Sequence, residues 1–330
     1  MNELTFGELS LREGEITKGK LGTFYLSDGS AVGIPSIGIQ GREPGPVLWL
    51  GAAMHGQEIS GIPVIWEIIK ERVDAENLRG SVVGAPLINP FSFNGGTYFT
   101  PEDGYNINRV FPGDTNSLLT HRLANLIFEE GIKKSDYIID FHCNMASAMC
   151  FTIIDEPAGF PITIYDRYKK MAQAFGITII EAKLENEAHR TGLMSVEAEL
   201  LGKPVITIEL VPWRRIDPLA VEVGVRGTLN VMKSLGMIDG PIEPQQGIQI
   251  IDGSLSRTEL MADRGGIVME YVDVGDRIKK DQKIGQIVDH YGDAVEDIVS
   301  PVDGWLLAWP MIHNQAAGTG EMVAFIAYEQ

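Results

Sequence analysis

Cysteine is almost missing from this chain: Cys143 and Cys150 are the only two among 330 residues. Two thiols cannot build a disulfide framework, and their spacing is not that of a Cys-x-x-Cys metal pair, so both are expected as reduced thiols. Basic residues are also in deficit, 27 against 45 acidic ones, for a formal charge of -18. A field of that sign repels a polyanion, and no basic stripe interrupts it, which excludes nucleic acid as a partner. Long apolar runs are absent too, none approaching the roughly 20 residues that span a bilayer. The opening MNELTFGELSLREGE has neither the basic start nor the apolar stretch of a signal peptide. These absences predict a soluble, cytoplasmic chain with no membrane partner.

What is present is an ordinary globular composition, 44% apolar and 22% charged, with no low-complexity segment. The length exceeds the usual 100 to 200 residues of one domain, so one large domain with an appendage, or two domains, is expected. Residues 1–45 alternate short β-prone runs with glycine turns and read as a meander joining a sheet. From Pro46 the texture changes: PVLWLGAAM is a continuous apolar run of buried-strand type, and SGIPVIWEIIKERV carries helical spacing. The alternation continues through SVVGAPLIN, LLTHRLANLIFEEGI, DYIIDFH, IYDRYKKMAQAFG and KPVITIEL. Strands alternating with helices predict an α/β fold with a mixed, largely parallel sheet covered on both faces. Beyond about Gly240 only short strands and glycine-aspartate turns remain, so 1–240 is expected as the α/β domain and 241–330 as a small all-β domain.

Ligands of open α/β sheets bind beyond the carboxyl ends of the strands, so polar residues that follow apolar runs come first. His55 and Glu58 follow PVLWLGAAM, separated by three positions; imidazole and carboxylate are both zinc ligands, and a loop entering a helix can aim the two at one ion. Alone, this pair has a plain alternative, a loop histidine beside a glutamate in a first helical turn. His142 ends the strand DYIIDFH, where a lone histidine is usually a packed core residue. Together the three supply the ligand count of a catalytic zinc whose fourth position is left to water, whereas structural zinc wants four protein ligands. Glu209 interrupts the apolar strand KPVITIEL. A carboxylate in such a place needs a partner or a task, and taking a proton from metal-activated water is one; an ion pair with an arginine is the other. Between these sites lies PEDGYNINRVFPGD, with Asn106, Asn108 and Arg109. Its turn residues shape a loop, and arginine is the side chain best suited to grip a carboxylate bidentately.

The ordered set His55-x-x-Glu58, Asn108-Arg109 followed by Phe111-Pro112-Gly113, His142 and Glu209 resembles the succinylglutamate desuccinylase/aspartoacylase family of zinc carboxypeptidase-like enzymes. The resemblance spans nearly the whole chain and includes PLINP at 86–90, similar to the family's strand-end Asn-Pro element. It implies one zinc per chain at His55, Glu58 and His142, substrate carboxylate recognition by Asn108 and Arg109, and Glu209 as base and later proton donor. Two positions depart from the family pattern. Asn106 stands where many relatives have aspartate, which alters the support behind the metal ligands or Arg109. FNGGTYFTPEDG lacks the arginine that relatives place there for the oxyanion; Tyr98 occupies about that position, and Tyr98 or Arg190 is the expected substitute.

The terminal β segment also resembles biotinyl and lipoyl carrier domains in VDVGDRIKKDQKIG and SPVDGWLL, yet DHYGDAVEDIVSPVDG holds no lysine to modify. It is therefore expected to be a structural cap, which the family resemblance implies narrows the mouth of the site and favours small substrates over peptides. Of the remaining histidines, His121, His290 and His313 read as surface or packing residues, while His189 and Arg190 sit in a polar loop able to reach the pocket. Cys143 adjoins His142, but strand alternation turns it to the opposite face as an inert thiol. The sequence thus predicts a zinc-dependent amidohydrolase acting on a small N-acyl amino acid. A zinc carboxypeptidase and a binding protein that has lost catalysis are the competing readings, and homo-oligomerisation is left open, C2 dimers being the commonest default.

Overall fold

The apolar runs become the inner strands of one large sheet. A computed structural model describes residues 4–144, 147–155, 162–182, 192–311 and 315–329. The chain up to residue 210 gives β1 (Ile16–Tyr25), β2 (Ala31–Gln40), β3 (Glu43–Ala52), β4 (Arg79–Ala85), β5 (Tyr137–Cys143), β6 (Phe151–Asp155), β7 (Thr178–Ala182) and β8 (Val205–Leu210). Between them lie α1 (Gly61–Glu67), α2 (Pro90–Gly95), α3 (Leu119–Ile127), α4 (Ile162–Phe175) and α5 (Met194–Leu200), and α6 (Pro218–Ser234) follows. The rest is β: β9 (Ser254–Met261), β10 (Gly266–Glu270), β11 (Arg277–Ile278), β12 (Lys283–Val288), β13 (Ala294–Val299), β14 (Gly304–Ala308), β15 (Ala316–Ala317) and β16 (Met322–Tyr328).

The main sheet runs β11-β14-β16-β9-β7-β6-β8-β5-β3-β4-β2-β1, and β13-β12-β10-β15 form a second, antiparallel sheet. The main sheet is mixed, as expected, but parallel pairing is confined to its middle. β3 pairs parallel with β4 and β5, β5 with β8, β6 with β7, and β7 with β9. The meander β1–β2 and the C-terminal strands add antiparallel ends, because hairpin connections need only short turns where parallel crossovers need a helix. Every described element after α6 is a strand, and β9 continues the main sheet by pairing Ser254 and Leu255 with Ile179 and Ile180. Backbone bonds from Met149 N–H to Leu307 O and from Trp309 N–H to Ser147 O, both 2.9 Å, tie the β14 region to the segment that follows β5.

Strand alternation sorts side chains between two cores. Leu48, Leu50, Ala52, Ile139, Phe141, Cys143, Ile206, Ile208 and Leu210 pack on one face, against α1, α4 and α6. Trp49, Ile138 and Val205 pack on the other, with α3 and α5. Asp140, His142, Thr207 and Glu209 fall in the second register, so the polar residues of β5 and β8 share one face. No helix among the described residues is long and apolar enough to cross a membrane.

Candidate metal centre

Beyond β3 the chain turns sharply. Gly56 lies so close to the backbone of α2 that an added Cβ would stand 2.0 Å from Ser92 O, so only glycine permits this approach. Glu58 N–H donates to His55 O at 3.0 Å, closing a turn that aims both side chains inward, where both are buried. The same turn holds the loop after α2: Gly56 N–H donates to Thr97 O (3.0 Å) and Gln57 Nε2 to Gly96 O (2.9 Å). That tie lays Tyr98 on His55, ring centroids 3.9 Å apart and planes within 17°. Asn89, of the Asn-Pro element, caps α2 by accepting from Ser92 N–H and donates to Thr100 Oγ1, a structural task.

His142 comes from β5, and the parallel ladder sets Glu209 of β8 directly beside it as its Cα partner. His55, Glu58 and His142 converge: one ligating atom of each lies within 4.8 Å of the other two. Glu58 stands between the rings, with His55 Nδ1 2.9 Å from Oε1 and His142 Nδ1 2.8 Å from Oε2. The outer nitrogens are also engaged, His55 Nε2 with Asn106 Oδ1 at 3.0 Å and His142 Nε2 with Asp140 Oδ2 at 2.8 Å. Asn106 Oδ1 accepts from Asn108 N–H as well (2.8 Å), which fixes it as the acceptor, so His55 Nε2 carries the proton. With both Nε2–H groups directed outward, each ring turns its Nδ1 toward a carboxylate oxygen of Glu58. Two imidazole nitrogens and a carboxylate gathered in a buried space are a donor set that suits a divalent metal, which would take the place of any proton on Nδ1.

Electrostatics agree with that demand. Burial alone would raise the Glu58 carboxyl, but the imidazoles of His55 and then His142 outweigh it and hold it at about 2. Burial disfavours a charged His142, but Asp140 and Glu58 overcome it and raise the imidazole well above its ordinary value. The site attracts positive charge. Glu209 is pushed up to about 7, first by burial and further by the charges of Glu58 and Asp140, against the opposing pull of His142 and Arg257. A carboxyl that titrates near neutrality beside a metal group can take and return a proton at working pH.

The other expected site residues divide. Tyr98 is brought to the centre, its hydroxyl raised to about 12 by burial and by the Glu58 charge, with His142 and Arg109 opposing. Arg109, exposed in the turn Ile107–Arg109, donates Nη1–H to Asn108 O at 2.6 Å. Asn108 braces that turn, its Oδ1 accepting from Met194 N–H at 2.9 Å, so its amide nitrogen is the part left to face a ligand. Arg190, His189 and His313 lie outside the described residues. His121 packs edge-on against Tyr105. Cys143 is buried on the opposite face, its thiol driven up by burial, as alternation required. Two contributors escaped the sequence reading. Asp140 carried a signal, an acid two places before a strand histidine and therefore on its face. Arg257 carried none: it sits on β9, over the Phe325 ring at 4.4 Å, and its charge reaches Glu209 only because the C-terminal strands fold back onto the sheet.

Residues 44–235 match the family model described as the succinylglutamate desuccinylase/aspartoacylase catalytic domain. The chain belongs to that family. As a member it is a deacylase, a hydrolase with a buried His-Glu-His group able to hold a metal. Among curated proteins it is 27% identical to the N-alpha-acetyl-L-2,4-diaminobutyric acid deacetylase of Halomonas elongata, over 78% of this chain and 75% of that one. Among solved structures, the product-bound ectoine utilization protein EutE (DoeB) of Ruegeria pomeroyi superposes with a TM-score of 0.85 at 21% identity, covering 96% of each chain. A succinylglutamate desuccinylase/aspartoacylase of Rhodobacter sphaeroides does so at 0.82 and 23%, covering 95% of this chain and 94% of that one. At such identities the two superpositions establish the family fold over the C-terminal strands as well, beyond the matched catalytic region.

Proposed function

We propose that this deacylase uses one zinc ion to hydrolyse the amide of a small N-acyl amino acid, releasing a carboxylate and a free amine. One observation carries the reading: three buried ligand side chains share a point, and Glu209 stands beside one of them across the ladder. His55, Glu58 and His142 would hold the ion. When bound, zinc supplies Lewis acidity to an acyl carbonyl and to water.

The protein's own groups do the rest. Glu209 takes the proton of the attacking water at its carboxylate and passes it to the leaving nitrogen, a role that its raised proton affinity suits. Arg109 binds the substrate carboxylate, with the Asn108 amide nitrogen beside it, and this fixes the acyl carbonyl relative to Glu209. Tyr98, stacked on His55, keeps its proton to about pH 12 and is therefore a hydroxyl donor for the oxyanion. Arg190 is the second candidate for an anion contact. The C-terminal strands serve as a cap on the mouth, favouring small substrates over peptides. The relative from Halomonas elongata, by its name an N-acetyl-diaminobutyrate deacetylase, supports a short acyl group and an amino acid product.

The test is a screen of N-acetyl, N-succinyl and N-formyl amino acids with and without a chelator, beside Glu209→Ala. The expected result is one preferred acyl amino acid, hydrolysed by wild type and restored by zinc after chelation, with Glu209→Ala inactive. Cleavage of short peptides but of no acyl amino acid would replace this reading with a carboxypeptidase.

A further inference from the structure

Oδ1 of Asp140 and Nε1 of Trp49 are both buried, and among the described residues neither has a hydrogen-bond partner. One is an acceptor and the other a donor with no acceptor capacity, so they are complementary. They face the same spot: the point where a side chain on Gly51 would begin is 3.2 Å from Trp49 Nε1 and 3.4 Å from Asp140 Oδ1. The ladder explains the meeting. Gly51 is the Cα partner of Asp140, and Trp49, two residues earlier on β3, projects from the same face. Ile88 Cδ1 bounds the third side at 2.8 Å from that point, so an alanine at 51 would be crowded.

We propose that Trp49 is a positioning residue for the metal centre, its indole N–H serving Asp140 Oδ1 through one water seated over Gly51. A single bridging molecule would satisfy a donor and an acceptor whose burial unpaired is costly to both. The consequence reaches the ligand. A carboxylate held at both oxygens cannot rotate, so Oδ2 stays on His142 Nε2–H and the Nδ1 lone pair stays aimed at the group shared with Glu58. The chain of influence is Trp49, Asp140, His142, and it rests on the metal-binding reading given above.

The test replaces Trp49 with 3-benzothienylalanine, which keeps the bicyclic shape and exchanges only the N–H for sulfur, in the full-length protein. Zinc affinity is read by chelator competition, alone and combined with Asp140→Ala. The expected result is a few-fold weaker affinity, short of the about tenfold or greater loss typical of a direct outer partner, and no further loss when Asp140→Ala is already present. Wild-type affinity in the analogue, or an equal loss in both backgrounds, would overturn the role of Trp49 while leaving the metal site standing. Failure of the unaltered protein to bind zinc would overturn both.

Discussion

His142 donates Nε2–H to Asp140 Oδ2 at 2.8 Å while its Nδ1 faces Glu58 Oε2 at the same distance, so one ring links an outer carboxylate to an inner one. Asp140 thereby fixes the tautomer and raises the basicity of Nδ1, the nitrogen proposed to bind the metal. Asp140→Asn keeps an acceptor and loses the charge; Asp140→Ala loses both. Zinc affinity measured against a chelator should fall in that order, within the about 10- to 100-fold range known for such partners. Equal affinity in all three proteins would remove Asp140 from the account.

Asn106 gives the other ligand a weaker support. Its Oδ1 already accepts from His55 Nε2–H and from Asn108 N–H, and a carboxylate could accept both without moving. Asn106→Asp should therefore tighten zinc binding by a few-fold through a more basic His55. Unchanged or weaker binding by chelator competition would show that the amide here is not a handicap.

Glu209 makes a prediction that needs no substrate. Its carboxyl titrates at about 7 in the metal-free fold against an ordinary 4.5, so the folded state holds a proton that the unfolded state gives up earlier. Stability tied to that proton is full below about 4.5, the unfolded value, and is lost as pH rises through 7. Glu209→Gln stays neutral throughout. In calorimetry of the metal-free proteins, the variant should melt above wild type at pH 8 and the gap should close toward pH 4 to 5. A constant gap would mean that Glu209 is not held protonated.

Tyr98 and Arg109 separate by kinetic parameter. Tyr98→Phe keeps the ring on His55 and removes the donor, so kcat should fall about 100-fold with KM little changed. Arg109→Lys keeps a charge but loses the bidentate fork, so KM for the acyl amino acid should rise most. Unchanged turnover in Tyr98→Phe would remove that hydroxyl from the reaction.

Much of this was legible from residue order. His55, Glu58, His142 and Glu209 each follow or end an apolar run, and period two on β5 by itself puts Cys143 opposite His142. Asp140 obeys the same rule, but an acid in a strand has many ordinary explanations and is not singled out by its position alone. What the sequence could not convey is pairing across the chain. The charge of Arg257 reaches Glu209, and Trp49 Nε1 and Asp140 Oδ1 come to the same spot over Gly51, only through strand order and register, which depend on how distant segments assemble. The extent of antiparallel pairing was hidden for the same reason: a hairpin and a parallel strand carry similar apolar patterns.

The claim on which the rest depends is that His55, Glu58 and His142 share one ion while Glu209 acts beside it without holding it. Titrating metal-free protein with zinc in a calorimeter tests this directly. One equivalent should bind tightly to wild type and to Glu209→Gln, and Glu58→Ala should lose that binding while retaining its fold. Tight stoichiometric binding that survives Glu58→Ala, or that disappears with Glu209→Gln, would contradict the assignment.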